Sequence, residues 1–127
     1  MIAAKRPGVI VNISSTAAFT VGGGNPAHYV ASKHGVAGLT KSLAVELGKH
    51  NIRAVSIALT LSETPGVAYK REVENLGDVL DAYGANLPLG RTGRPDDVAR
   101  AVLFAASDLA AFVTGITLPA DGGDLAS

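Results

Sequence analysis

Gly8-Val9-Ile10-Val11-Asn12-Ile13-Ser14-Ser15 is a short β-branched run, entered through Pro7-Gly8 and left through small polar residues. Such a run reads as a buried strand. Downstream, Thr16 to Pro26 reads as a loop containing Gly22-Gly23-Gly24. From about Ala27 to Leu47 the pattern turns helical: Val36, Leu39, Leu43 and Leu47 recur at spacings of three and four, which puts them on one face. Gly48 stands where a glycine in the left-handed conformation ends a helix. Gly35 and Gly38 weaken helix propensity and suggest close approach to a neighbouring backbone. Ile52 to Leu59 is a second apolar run of strand length. Two helical pieces follow, about Val67–Leu76 and Asp78–Tyr83, punctuated by Gly77 and Gly84. Pro95-Asp96-Asp97 opens another helix, with proline in the first turn and two acids at the positive end of the dipole. Val98, Val102, Leu103 and Ala106 are its expected buried stripe, and Thr114 to Leu118 is a third strand. Strands alternating with helices predict an α/β fold with a parallel sheet. Val9–Ser14 and Ile116–Leu118 are expected at its edges, where an apolar strand is a pairing hazard.

Composition narrows the function. The chain has 127 residues, with 11 basic and 11 acidic side chains, so no basic surplus marks a nucleic-acid binder. Apolar residues make up 47%, enough for a core. The longest apolar window, around Val98 to Val113, contains Arg100 and Asp108, which argues against a membrane span. Met1 to Arg6 has no apolar stretch of the kind a secretory signal needs. With no cysteine, disulfides, zinc-thiolate sites and thiol nucleophiles are excluded, in keeping with a cytoplasmic location.

Tyr29-Val30-Ala31-Ser32-Lys33 places a phenol and an ammonium on one face of the first helix. A phenol ordinarily titrates near ~10, too high to exchange protons at neutral pH, and a neighbouring cation favours the phenolate. The pair therefore suits general acid/base work. Ser15 ends the first strand, and the carboxyl ends of strands are where α/β folds place ligands. Gly22-Gly23-Gly24-Asn25-Pro26-Ala27 has the letters of a dinucleotide fingerprint but not its context: its first glycine lies seven residues past Ser15, and no acidic residue ends the next strand. It reads instead as a loop beside the site. His28 and His34 lie on different helix faces and complete no metal cluster, Asp121 and Asp124 lack the ligand series of a calcium loop, and Ser15 is not in a G-x-S-x-G elbow.

These residues resemble the short-chain dehydrogenase/reductase family. Gly8–Ser15 looks like its strand ending in the active-site serine, and Tyr29 to Lys33 like its Tyr-x-x-x-Lys. Leu89 to Ala99 resembles the segment leading into its last long helix. Ala106-Ser107-Asp108, Val113-Thr114-Gly115 and Asp121-Gly122-Gly123 resemble its closing strand and tail.

The resemblance implies the carboxyl-terminal part of a Rossmann-like, doubly wound parallel sheet, with three strands and flanking helices. Residues 1–127 would form one partial domain, the catalytic half, with the dinucleotide-binding half lying before Met1. It further implies an NAD- or NADP-dependent oxidoreductase interconverting a small-molecule alcohol and carbonyl, with a homo-oligomer as the intact form. Tyr29 would be the general acid/base. Lys33 would lower the Tyr29 pKa and hold the nicotinamide ribose, Ser15 would orient the substrate oxygen, and Thr64 would lie near the nicotinamide carboxamide. The chain departs from the family pattern at Leu59-Thr60, where Pro-Gly is usual, and at Val55, where Asn is usual. Ser15 to Tyr29 is one residue longer than the commonest spacing. The alternative expectation is a truncated or degenerate chain that packs or oligomerises without turnover.

Overall fold

The computed structural model describes residues 1–21 and 24–127. The Gly22-Gly23 portion of the expected glycine loop lies outside the described residues. The elements run β1 (Gly8–Ser15), α1 (Ala27–Leu47), β2 (Ile52–Leu59), α2 (Pro65–Glu72), α3 (Gly77–Asn86), α4 (Pro95–Ala106) and β3 (Thr117–Ala120). The strands form one parallel sheet in the order β1-β2-β3. β1 pairs with β2 along its whole length, from Gly8 opposite Ile52 to Ser15 opposite Leu59.

Side chains alternate between the faces of a strand, and here the two faces meet different helices. Val55 and Ile57 of β2, both fully buried, pack with Ala105 of α4, joined by Val11, Val98 and Leu118. On the opposite face, Asn12 Nδ2 donates to Thr40 Oγ1 of α1 at 3.0 Å, and Ser14 Oγ donates to the Lys33 carbonyl at 3.4 Å. Every residue of β2 is buried or half-buried, as expected for a central strand covered on both faces.

β1, α1 and β2 have the boundaries read from the sequence, but several details of the fold differ. The buried line of α1 runs through Thr40 and Ala44, while Leu39 is half exposed and Val45 faces out. The small side chains let the helix lie close to the sheet, and the Thr40 hydroxyl finds its partner in the Val36 carbonyl at 2.8 Å. Gly35 and Gly38 face open space among the described residues, not a neighbouring backbone. Gly48 keeps a right-handed conformation and starts a short 3-10 turn; the left-handed residue that reverses the chain is Asn51, with φ of 57°. Asparagine tolerates this conformation because its short polar side chain makes local hydrogen bonds.

In α4, Ala101 and Ala105 take the inward places expected of Leu103 and Ala106, which are exposed. β3 begins at Thr117, not Thr114. Gly115 turns the chain at φ of 73°, and the Thr114 hydroxyl accepts the Ala54 N–H at 3.0 Å, so those residues cap β2 before pairing starts. Pro119 is tolerated in β3 because the strand is at an edge.

Arg53, at the amino end of β2, fastens this end of the sheet. Its guanidinium donates to the carbonyls of Ala105 at 2.9 Å, Val113 at 3.2 Å and Ser107 at 3.2 Å, so it closes the carboxyl end of α4. No helix among the described residues is long and apolar enough to cross a membrane.

Candidate active site

The carboxyl ends of β1 and β2 open into a cleft of about 430 Å³, and Ser15, Tyr29 and Thr64 line it. Ser15 is the last residue of β1. Its extended backbone and the hydrogen bond from the Ala17 N–H to its Oγ, at 3.2 Å, cap the 3-10 turn that follows. A hydroxyl that accepts one bond keeps its own proton to donate, so Ser15 can hydrogen-bond an oxygen placed in the cleft.

Tyr29 and Lys33 come from the first two turns of α1. Pro26 sets the extended entry to the helix, and its carbonyl accepts the Tyr29 N–H at 2.9 Å. Lys33 lies one turn on, with Nζ 5.5 Å from the centre of the Tyr29 ring. The same Nζ donates to the Ile13 carbonyl at 3.3 Å, and the Lys33 carbonyl accepts from Ser14 Oγ. The end of β1 therefore grips α1 at Lys33 twice, through backbone atoms on one side of each bond. Thr64 caps α2 by accepting the Val67 N–H at 3.4 Å and reaches the cleft from the far side. The fold thus brings Ser15, Tyr29 and Thr64 to one cleft, with Lys33 against the Tyr29 ring.

A second group of polar residues borders the cleft, and sequence reasoning assigns none of them a role in the site: Thr60 stands out only as a departure from the family pattern, and Asp124 only as an unfulfilled calcium ligand. Thr60, one residue past β2, is buried. Its Oγ1 donates to Asp124 Oδ2 at 2.7 Å and lies 2.5 Å from the Tyr83 hydroxyl, which itself is 3.0 Å from Asp124 Oδ2. Partial burial pushes the Tyr83 phenol above its ordinary pKa. The Thr60 contact opposes that rise, and the Asp124 carboxylate adds to it. Nearby, Glu63 accepts from Arg71 at 3.0 Å and from Thr92 at 3.0 Å, while Arg71 also pairs with Asp81 at 2.7 Å. The sequence separations in the Thr60 cluster, 23 and 64 residues from Thr60, leave no local pattern to read.

The chain also matches known proteins. Residues 1–124 fit the profile of a family described as enoyl-(acyl carrier protein) reductase. A 3alpha-hydroxysteroid dehydrogenase of Mediterraneibacter gnavus is 46% identical over 115 residues, covering 91% of this chain and 44% of that protein. A crystal structure of a short chain dehydrogenase/reductase from Burkholderia thailandensis superposes with a TM-score of 0.88 at 36% identity, over 100% of this chain and 48% of the other. A Beutenbergia cavernae structure with NADP bound at low occupancy gives a TM-score of 0.84 at 38% identity, over 100% of this chain and 49% of the other. The chain spans about half the length of the curated relatives it matches. The parallel sheet flanked by helices is accordingly the Rossmann architecture of these structures. With a family profile matched over 124 residues and relatives at this identity, the chain belongs to the short-chain dehydrogenase/reductase family.

Proposed function

We propose that this chain carries the catalytic residues of an NAD- or NADP-dependent oxidoreductase that interconverts a small-molecule alcohol and its carbonyl. The observation that carries the reading is the meeting of Ser15 and Tyr29 in one cleft at the carboxyl ends of parallel strands, with Lys33 against the Tyr29 ring. Family membership supports it, as do the dehydrogenase names of the relatives and the NADP bound in the Beutenbergia structure.

The residues present fit the nicotinamide riboside end of such a cofactor. An ammonium and a phenol stand together on α1, and two hydroxyls, of Ser15 and Thr64, reach the cleft. Lys33 and Tyr29 would hold the ribose, and Thr64 the carboxamide. The nicotinamide, when bound, accepts or supplies the hydride. Ser15 donates a hydrogen bond to the substrate oxygen and fixes its position. In the reducing direction the Tyr29 hydroxyl gives its proton to that oxygen as the carbonyl becomes an alcohol; in the oxidising direction the phenolate takes it back. Lys33 places positive charge beside the phenol while that oxygen is anionic.

α1 also presents Leu39 and Val45 to solvent, which supports a homo-oligomer in which this helix meets another copy. The test of the catalytic reading is turnover of NAD(P)H with a ketone panel by the intact protein and its Tyr29→Phe variant. Loss of turnover with an unchanged circular dichroism spectrum is expected. Equal rates in the two proteins would overturn the assignment of Tyr29.

A further inference from the structure

The wall of the cleft facing Ser15 and Tyr29 is built from the end of β2 and the segment after it. Leu59, Leu61, Val67, Val79, Leu80 and the ring of Tyr83 make most of it apolar, and Thr60, Ser62 and Thr64 add only uncharged hydroxyls. Among the described residues that line this cleft, none carries a formal charge at neutral pH. Lys33, behind the Tyr29 ring, does not line the cleft and donates to the Ile13 carbonyl, so an anionic substrate would meet no cation on these walls, and an unpaired charge is costly to bury.

The position of this wall depends on a small number of side-chain bonds. Thr60 Oγ1, the Tyr83 hydroxyl and Asp124 Oδ2 lie within 2.5 to 3.0 Å of one another. They tie the end of β2, the last turn of α3 and the chain's closing turn at one point. Thr60 is buried, at 7% exposure, whereas Val79 on the same wall is 63% exposed. The fixed point of the wall is thus its polar corner, not its apolar surface.

We infer that the Thr60–Tyr83–Asp124 cluster is a latch that holds α3 in place as the far wall of the cleft, and that the latched cleft selects an uncharged, apolar alcohol or ketone. The inference rests on the oxidoreductase reading above. Thr60 acts through Tyr83 and is a positioning residue. Without its hydroxyl, the Tyr83 phenol and the Asp124 carboxylate lose their shared partner, and α3 loosens from β2. The chemistry at Tyr29, held by β1, is left alone.

The experiment uses the intact protein and a matched pair of alcohols, cyclohexanol and 4-hydroxycyclohexanecarboxylate. The neutral alcohol is expected to have a kcat/KM at least about tenfold above that of the anion. Thr60→Val is expected to raise KM for cyclohexanol about tenfold, with kcat falling no more than about twofold, because a binding wall is lost and not a proton donor. Tyr83→Phe should give the same split, and Thr60→Ser should restore the wild-type KM.

Hydrogen–deuterium exchange supplies a readout apart from turnover: amides of residues 77–86 should exchange faster in Thr60→Val. Preference for the anion would overturn the substrate class. Unchanged KM and unchanged exchange in both Thr60→Val and Tyr83→Phe would overturn the latch. Turnover of neither alcohol, nor of any ketone in the panel, would overturn the oxidoreductase reading and with it the substrate class, while the exchange rates would still decide the latch.

Discussion

The two walls of the cleft are fastened by different kinds of bond. On the β1 side, the side-chain ties next to the cleft pair a side chain with a backbone atom: Lys33 Nζ with the Ile13 carbonyl, Ser14 Oγ with the Lys33 carbonyl, and the Ala17 N–H with Ser15 Oγ. Opposite, Leu61 and Glu63 pair with Gly93 through backbone bonds, but the side-chain ties run largely to other side chains: Thr60 to Tyr83 and Asp124, Glu63 to Thr92, and Arg71 to Glu63 and Asp81. A backbone partner is present whatever residue stands there, whereas a side-chain partner disappears with one substitution. The wall that carries Tyr29 is therefore the more fixed, and the wall after β2 is the more adjustable.

The largest effect should come from the fixed wall. Tyr29→Phe is expected to lower kcat by about 10²- to 10⁴-fold, the range for a positioned proton donor, with the melting temperature unchanged. A drop confined to KM would mean that Tyr29 binds but transfers no proton. Ser15→Ala follows, with a loss of about ten- to a hundredfold in kcat/KM, measured in steady state on the same ketones. Were Ser15→Ala to match wild type, the β1 wall would hold its shape without using it, and the contrast with the far wall would lose its functional meaning.

Gly84→Ala probes the adjustable wall. A methyl group there would meet the Thr92 amide nitrogen at 2.9 Å and its Cγ2 at 3.0 Å. The backbone neighbour cannot yield cheaply, so the clash should outweigh the gain in helix propensity and leave a net loss of about 1 kcal/mol in a urea melt. An increase in stability would show that α3 already sits loosely against Thr92.

The smallest effect belongs to Asp97. The Arg91 guanidinium, at 2.7 Å, and the Arg94 N–H hold its carboxyl down to about 2, below the ordinary 3.8. A depressed carboxylate contributes stability above its unfolded pKa and loses it as pH falls through the folded value. The melting-temperature gap between wild type and Asp97→Asn should be constant from neutrality down to the ordinary carboxylate range. It should then close toward pH of about 2. A gap that persists in acid would assign the effect to packing. The pair is exposed, so the gap should be small throughout.

Sequence periodicity served the fixed wall well. β1 and β2 are β-branched runs with clear borders, α1 starts after Pro26, and Tyr29 and Lys33 are one helical turn apart, so their meeting is local. Apolar spacing failed where a small or polar residue took the inward place, as Thr40 and Ala44 do in α1 and Ala105 does in α4. It also failed at β3, where Gly115 turns the chain before pairing begins. The Thr60 cluster was marked only by Leu59-Thr60 standing out from the family pattern, since its partners lie at 83 and 124. Contacts of that span arise from the packing of distant segments, which a one-dimensional pattern does not encode.

Arg53 has a bearing on how this chain can change over generations. One planar guanidinium serves three carbonyls at the end of the sheet remote from the cleft, and a lysine, with a single nitrogen on a flexible stem, would not reach all three. One substitution at Arg53 would therefore free three carbonyls at once, whereas on the far wall a single substitution removes fewer bonds. An architecture anchored at the end remote from the cleft can absorb change at the cleft without first giving up its fold.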